Sequence, residues 1–139
     1  MIVGIVGDRN VNDPSVIQKA VDQSGFDVTM VVSGGANGVD KLAVDWAKSK
    51  GIPYEEYEAN WGDITVKNAV VAINKWGKKY NKLAGFQRNQ QIVDRADAII
   101  AIQPNGPTSG TQDTIKKTKW AKKPLHYFER VDEDYEYTF

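Results

Sequence analysis

Three short stretches hold most of the residues that could do chemistry. Gly7-Asp8-Arg9-Asn10 sets a carboxylate beside a guanidinium directly after an apolar run. Ser33-Gly34-Gly35-Ala36-Asn37-Gly38-Val39-Asp40 places three glycines and a second carboxylate where an apolar run hands over to a helical pattern. Gln103-Pro104-Asn105-Gly106-Pro107-Thr108-Ser109-Gly110-Thr111 ends in hydroxyls and glycine ahead of another helical pattern. Glycine permits positive φ and lets a bound group approach the backbone. A helix opening just after such a turn presents unpaired N–H groups and the positive end of its dipole. The chemistry this favours is anion binding, phosphate first. Arg9 and Arg88 would add charge-assisted hydrogen bonds. The alternative is that these are tight turns needing glycine for geometry alone. Neither stretch reads G-x-G-x-x-G, and no G-K-[ST] follows, so dinucleotide and Walker-type sites do not follow from them.

Composition removes several other chemistries. The 139-residue chain has no cysteine and one histidine. That rules out disulfides, thiolate zinc sites and a cysteine nucleophile. His126 falls inside an apolar, strand-like run, where a core imidazole is expected rather than a member of a Ser-His-Asp triad. No clustered His/Asp set suggests a metal site, and no cofactor is expected, although Mg²⁺ brought by a ligand phosphate stays open. Basic and acidic residues number 18 each. A duplex-coating protein would be more basic, so nucleic acid is not the expected partner. Lys75–Lys82 and Lys116–Lys123 nevertheless interleave lysines with Trp76, Tyr80 and Trp120. Such runs either stack single-stranded nucleic acid or form solvated faces. Trp120 lies off the inner stripe of its helix and suits a subunit contact, so a homo-oligomer, dimer or higher, is expected. No stretch approaches ~20 apolar residues and no basic region precedes the first apolar run. A cytoplasmic protein without membrane contact is the expectation.

The elements that must position these residues alternate. Ile2–Val6 reads as a strand buried on both faces. Asp13-Pro14 opens a helix carrying Val16, Ile17, Ala20 and Val21 on one face, stopped by Gly25. Val28–Ser33 is a second strand. Val39, Leu42, Ala43, Trp46 and Ala47 have the spacing of an amphipathic helix ended by Gly51. Ile52–Glu58 is a weaker third strand. Residues from about 60 to 83 read as an insertion with one helix over Val66, Ala69, Val70 and Ile73. A helix from Gly85 to Ala96, strand Ala98–Ile102, a helix to about Lys122 and strand Leu125–Phe128 complete the series. An acidic tail covers about 129–139. Alternation of this kind implies right-handed βαβ units. The fold expected is one α/β domain, a Rossmann-like three-layer sandwich whose five-stranded parallel sheet has the order 3-2-1-4-5, with an inserted helical segment. Ligands then bind beyond the carboxyl ends of the strands, where the order reverses, and all three loops meet there or nearby.

Three linked stretches, SGGANGVDKLAVDWAKSKGIP, AGFQRNQQIVDRADAIIAI and NGPTSGTQDTI, resemble the SLOG superfamily over about Val3 to Phe128, most closely its small stand-alone YspA-like branch. That superfamily includes the lonely-guy phosphoribohydrolases, DprA, and sensor domains for nucleotide-derived signals. The resemblance implies a nucleotide or nucleotide-like ligand. It also implies binding residues Gly7, Arg9, Ser33, Gly34, Gly35, Gly38, Asp40, Arg88, Asn89, Gly106, Ser109, Gly110 and Thr111; Asp8, in the first loop, joins them on position. The phosphoribohydrolases carry P-G-G-x-G-T-x-x-E with a catalytic Glu. Here the position three beyond Thr111 is Thr114, and Asp113 lies one residue earlier, about 100° around the helix. Catalytic candidates are therefore Arg88, Asp113 and Asp40, with Asp40 open to a second role on ribose hydroxyls. The leading expectation is a protein that senses, sequesters or processes a small nucleotide derivative. The alternatives are a nucleotide N-glycosidase or phosphoribohydrolase and a single-stranded nucleic-acid binder.

Overall fold

The computed structural model describes residues 1–65 and 69–128. Strand β1 (Ile2–Gly7) leads through α1 (Ser15–Ser24) to β2 (Met30–Ser33), and α2 (Val39–Lys50) leads to β3 (Tyr54–Glu56). After a hairpin, α3 (Ala84–Arg95) precedes β6 (Ala98–Ile102), and α4 (Ser109–Trp120) precedes β7 (Leu125–Phe128). The main sheet runs β3-β2-β1-β6-β7, all parallel, which is the expected 3-2-1-4-5 once the hairpin strands are set aside. Val3 sits at its centre, paired with Val31 on one side and Ala98 on the other.

Period-two alternation divides the core into two layers. Val3, Ile5, Val31, Ala98, Ile100 and Ile102 face α1 and α2, where Ile17, Ala20, Val39, Ala43 and Ala47 meet them. Val6, Val32, Ile99 and Ala101 face the other way, onto Ile92 and Val93 of α3 and Ile115 of α4. Full burial of one such Val or Ile side chain stabilises by about 1.5–3 kcal/mol, so the central strands need no polarity on either face. Helices α1 and α2 stop at Gly25 and Gly51 as expected. The end of α3 is held by Lys123, whose ammonium donates to the carbonyls of Val93 (2.6 Å), Asp94 (3.2 Å) and Ala96 (2.8 Å). A lysine there satisfies carbonyls that have no helical partner and complements the negative dipole end.

The expected inserted helix is not what the described part of the insertion forms. Val66 lies outside the described residues, and the stretch that follows is an antiparallel hairpin, β4 (Val71–Ile73) with β5 (Lys79–Asn81). Turn chemistry overrides the helical spacing. The Asn74 side-chain oxygen accepts from the amides of Trp76 (2.9 Å) and Lys78 (3.0 Å), and Gly77 N–H donates to the Asn74 carbonyl at 3.0 Å. Asparagine and glycine at those positions reverse the chain, and β-branched Val71 and Ile73 then pair as a strand. The acidic tail lies outside the described residues.

One contact locks the β2–α2 turn onto the β1–α1 loop. Gly38 has φ +75°, and a Cβ placed on it would stand 2.4 Å from both the Asp8 carbonyl oxygen and the Arg9 carbonyl carbon. Gly25 has a similar φ of +69° but open space around it. Gly38→Ala is therefore expected to cost about 2–3 kcal/mol in urea unfolding, against about 1 kcal/mol for Gly25→Ala. Equal losses for the two variants would show that the backbone approach at Gly38 is not a constraint.

Candidate functional site

The reversal of strand order lies between β1 and β6, and a cleft of about 870 Å³ opens at the carboxyl ends of these strands. Its wall is drawn from the loops after β1 and β2, the segment after β3, the start of α3 and the start of α4. The three loops singled out in the sequence do converge, as the topology requires.

Asp40, in the first turn of α2, lies in the cleft and is only 6% exposed. Its Oδ2 accepts the Ala36 amide at 3.3 Å, while Oδ1 is buried without a hydrogen-bond partner. Burial pushes its carboxyl up to about 6, against the opposing pull of the Arg88 guanidinium and the Ala36 amide. Ser33 is fully buried and donates to the Asp40 main-chain carbonyl at 2.9 Å, fixing the turn that delivers the carboxylate.

Arg88 reaches across from α3. Its Nη1 donates to the Gly34 carbonyl and to that of Tyr57 at 3.5 Å, and its Nε donates to Asn89 Oδ1 at 3.1 Å. The guanidinium thus braces the loop after β2 as well as lining the cleft. Asn89, 5% exposed, passes the brace on by donating to Gly110 O at 3.1 Å and Asp113 Oδ2 at 3.2 Å.

The starts of α2 and α4 differ. The first amide of α2, Val39, donates to Asp8 O at 3.2 Å, and Asp40 brings negative charge into that turn. Helix α4 has no acidic residue in its first turn and no side-chain cap. The Thr108 hydroxyl bonds Thr111 Oγ1 at 2.9 Å instead, and Gln112 N–H is the first amide to bond back, to Thr108 O at 2.9 Å. The preceding amides of Ser109, Gly110 and Thr111 precede that bond, the position where helices bind anions. Gln103, buried at the end of β6, sets this start. Its Oε1 accepts the Thr108 amide at 2.8 Å, and its Nε2 donates to the Tyr127 hydroxyl at 2.7 Å.

Of the residues expected at the site, Gly7, Asp8, Arg9, Gly34, Gly35, Asp40, Arg88, Asn89, Ser109, Gly110 and Thr111 line the cleft. Ser33, Gly38 and Gly106 do not line it. Asp113 is also outside, held by Asn89 and by the ammonium of Lys117, whereas Thr114 lines the cleft and bonds Gly110 O at 3.3 Å. Gly35 has φ +73°, so its turn requires glycine whatever the ligand does. Asn10, Glu58, Trp61, Lys82, Phe86 and Thr108 also line the cleft. Trp61 and Lys82 belong to the insertion, whose side chains no strand or helix pattern could place. His126 has no place in the cleft; it is half-buried in β7 with Nε2 unpartnered, and burial lowers its pKa.

These features define a Rossmann-like α/β domain with a polar cleft at the switch point of its sheet. Residues 1–63 match the model of the family described as YspA, cpYpsA-related SLOG family, in agreement with the resemblance carried by the motifs. Among solved structures, the chain is similar to DNA processing protein A (DprA) from Streptococcus pneumoniae, with a TM-score of 0.66 and 19% identity. The match covers 90% of this chain and 49% of that one, so the chain spans about half the length of DprA. At that identity the likeness concerns the fold. No curated protein matches. Among the described residues, no helix is long and apolar enough to cross a membrane, and no group of His, Asp and Glu is arranged to hold a metal ion.

The raised pKa of Asp40 has a consequence for stability. The folded chain holds this proton up to about pH 6, while the unfolded chain releases it near 3.8. Stability therefore falls as pH rises between those values, by roughly 3 kcal/mol at most. Asp40→Asn is expected to raise the melting temperature at pH 7.5 and to lose most of that advantage at pH 4. An Asn variant that is less stable at pH 7.5 would show that Arg88 outweighs desolvation.

Proposed function

We propose that this cleft binds a small nucleotide or nucleotide-derived ligand, which the protein senses, sequesters or processes. The observation that carries the reading is Asp40, a carboxylate oxygen buried without a donor in the same cleft as an uncapped helix start. A buried acceptor left unpaired costs about 1–3 kcal/mol, and a ligand hydroxyl would remove that cost. A phosphoribosyl group supplies both complements: hydroxyls for Asp40 and phosphate oxygens for the first amides of α4. Arg9, exposed at the rim, adds positive charge. The match of residues 1–63 to a SLOG family supports a nucleotide-related role. Trp76 and Trp120 do not line the cleft, so a small ligand fits this site better than a strand stacked on those residues.

Mass spectrometry of small molecules released from freshly purified, denatured protein tests the reading directly; a phosphorylated nucleoside derivative is expected. Calorimetric affinity for that ligand should rise as pH is raised through about 6 and level off above it. The reason is that hydroxyl donors favour the carboxylate form of Asp40, whose pKa is about 6 in the free protein. Asp40→Asn should weaken binding by about 1.5–3 kcal/mol at pH 7.5, typical of a charged hydrogen bond, and flatten the pH profile. Affinity unaffected by both pH and this substitution would remove Asp40 from the ligand contacts.

The hydrolase alternative fares less well on geometry. Where the phosphoribohydrolases carry Glu, this chain turns Thr114 into the cleft, and its nearest carboxylate, Asp113, is tied to Asn89 and Lys117. A misplacement of about 1 Å can cost ~10²-fold in rate. Little or no free base should be released from AMP, with binding retained. Robust adenine release that Asp113→Asn abolishes would make the protein a hydrolase.

A further inference from the structure

The cleft has a third surface that neither Asp40 nor the start of α4 uses. Trp61 and Phe86 both line it, yet they remain 49% and 40% exposed. Large aromatic rings half in water at the lip of a cleft are poorly explained by core packing. Both are held in place. The Trp61 carbonyl accepts the Asn81 amide at 2.6 Å, and Asn81 is itself fully buried, with its side chain bonded to the amides of Val70 and Leu83 and to Gln87. The Trp61 ring lies over the start of α3, where a Cβ on Gly85 would stand 3.2 Å from Cη2. Phe86 has the Lys117 ammonium 5.6 Å from its ring centre.

We infer that Trp61 and Phe86 form a stacking platform for the base of the ligand, so that the inserted hairpin selects ligands by the size of their aromatic ring. This rests on the nucleotide reading above. Stacking rewards ring area and tolerates different base edges, because every base has a π-face. The hairpin's task is then mechanical: Asn81 anchors the Trp61 backbone, and β4 and β5 hold Asn81. Affinity should fall in the order purine nucleoside monophosphate, pyrimidine nucleoside monophosphate, ribose 5-phosphate.

The test is calorimetry with AMP, CMP and ribose 5-phosphate on the wild-type chain and on Trp61→Ala, Trp61→Phe and Phe86→Ala, each first verified as folded by thermal melting. AMP is expected to bind about ten- to a hundred-fold more tightly than ribose 5-phosphate. Trp61→Ala should remove most of that difference and leave ribose 5-phosphate binding unchanged. Trp61→Phe should keep most of it, and Phe86→Ala should reduce it in part. Equal wild-type affinities for AMP and ribose 5-phosphate would overturn the platform while leaving the phosphoribosyl site standing. So would equal weakening of both ligands by Trp61→Ala, the mark of a packing role against Gly85. Absence of binding by all three ligands would overturn both readings together.

Discussion

The carbonyl oxygen of Asp8 accepts two amides, Val11 at 3.4 Å and Val39 at 3.2 Å, and much of the cleft depends on that junction. It ties the loop after β1 to the first turn of α2. For the two backbones to approach this closely, position 38 can carry no side chain. The approach in turn drives the next-but-one residue, Asp40, under the loop and out of water. A carboxylate in that position would be costly with nothing around it. The chain offsets the cost with Arg88, the Ala36 amide and a raised pKa, and leaves one buried oxygen without a hydrogen-bond partner.

Arg88 shows how positional demands compete for one side chain. Its charge lowers the cost of a buried carboxylate, and its N–H groups close the loop after β2 through Gly34 and the end of β3 through Tyr57. The guanidinium has five donors in a fixed fork, so it can serve the scaffold and still face the cleft. Through Asn89 the same network reaches Gly110 at the start of α4. The loop after β2 and the start of α4 are thereby linked through α3 by hydrogen bonds.

The main sheet and its helices were legible in the sequence because their signals are local and mutually consistent. Ile2–Val6 and Ala98–Ile102 are apolar on every residue, and Gly25 and Gly51 mark helix ends without ambiguity. The three loops could be brought together because a parallel sheet of this order has one place where ligands bind. The insertion misled because Ala69, Val70 and Ile73 satisfy a helical spacing, while the deciding information lay in the side chain of Asn74 and in long-range bonds from Asn81 to Trp61, Val70 and Gln87. Gln103 was missed for a related reason. A polar residue at a strand end reads as a loop, and its burial between Thr108 and Tyr127 is visible only once α4 and β7 are in place. The departure from the phosphoribohydrolase pattern is a matter of helical offset: Thr114 lines the cleft and Asp113, one residue earlier, does not.

The cleft therefore has walls of unequal rigidity. Its floor, Gly7, Asp8 and Asp40, is built on the central strand and the helix packed against it, where opening requires disruption of the main core. Its lip, Trp61 and Lys82, hangs on a two-stranded hairpin whose Val71, Ile73 and Trp76 are largely exposed. An isolated hairpin is marginal in water, and this one is secured to the domain chiefly through Asn81 and the start of α3. Local stability follows buried apolar contact, and the hairpin buries less of it than the floor does. The Asp8 junction and the carboxylate it buries therefore belong to the part of the cleft that the main core holds, whereas Trp61 is held by a few hydrogen bonds through Asn81.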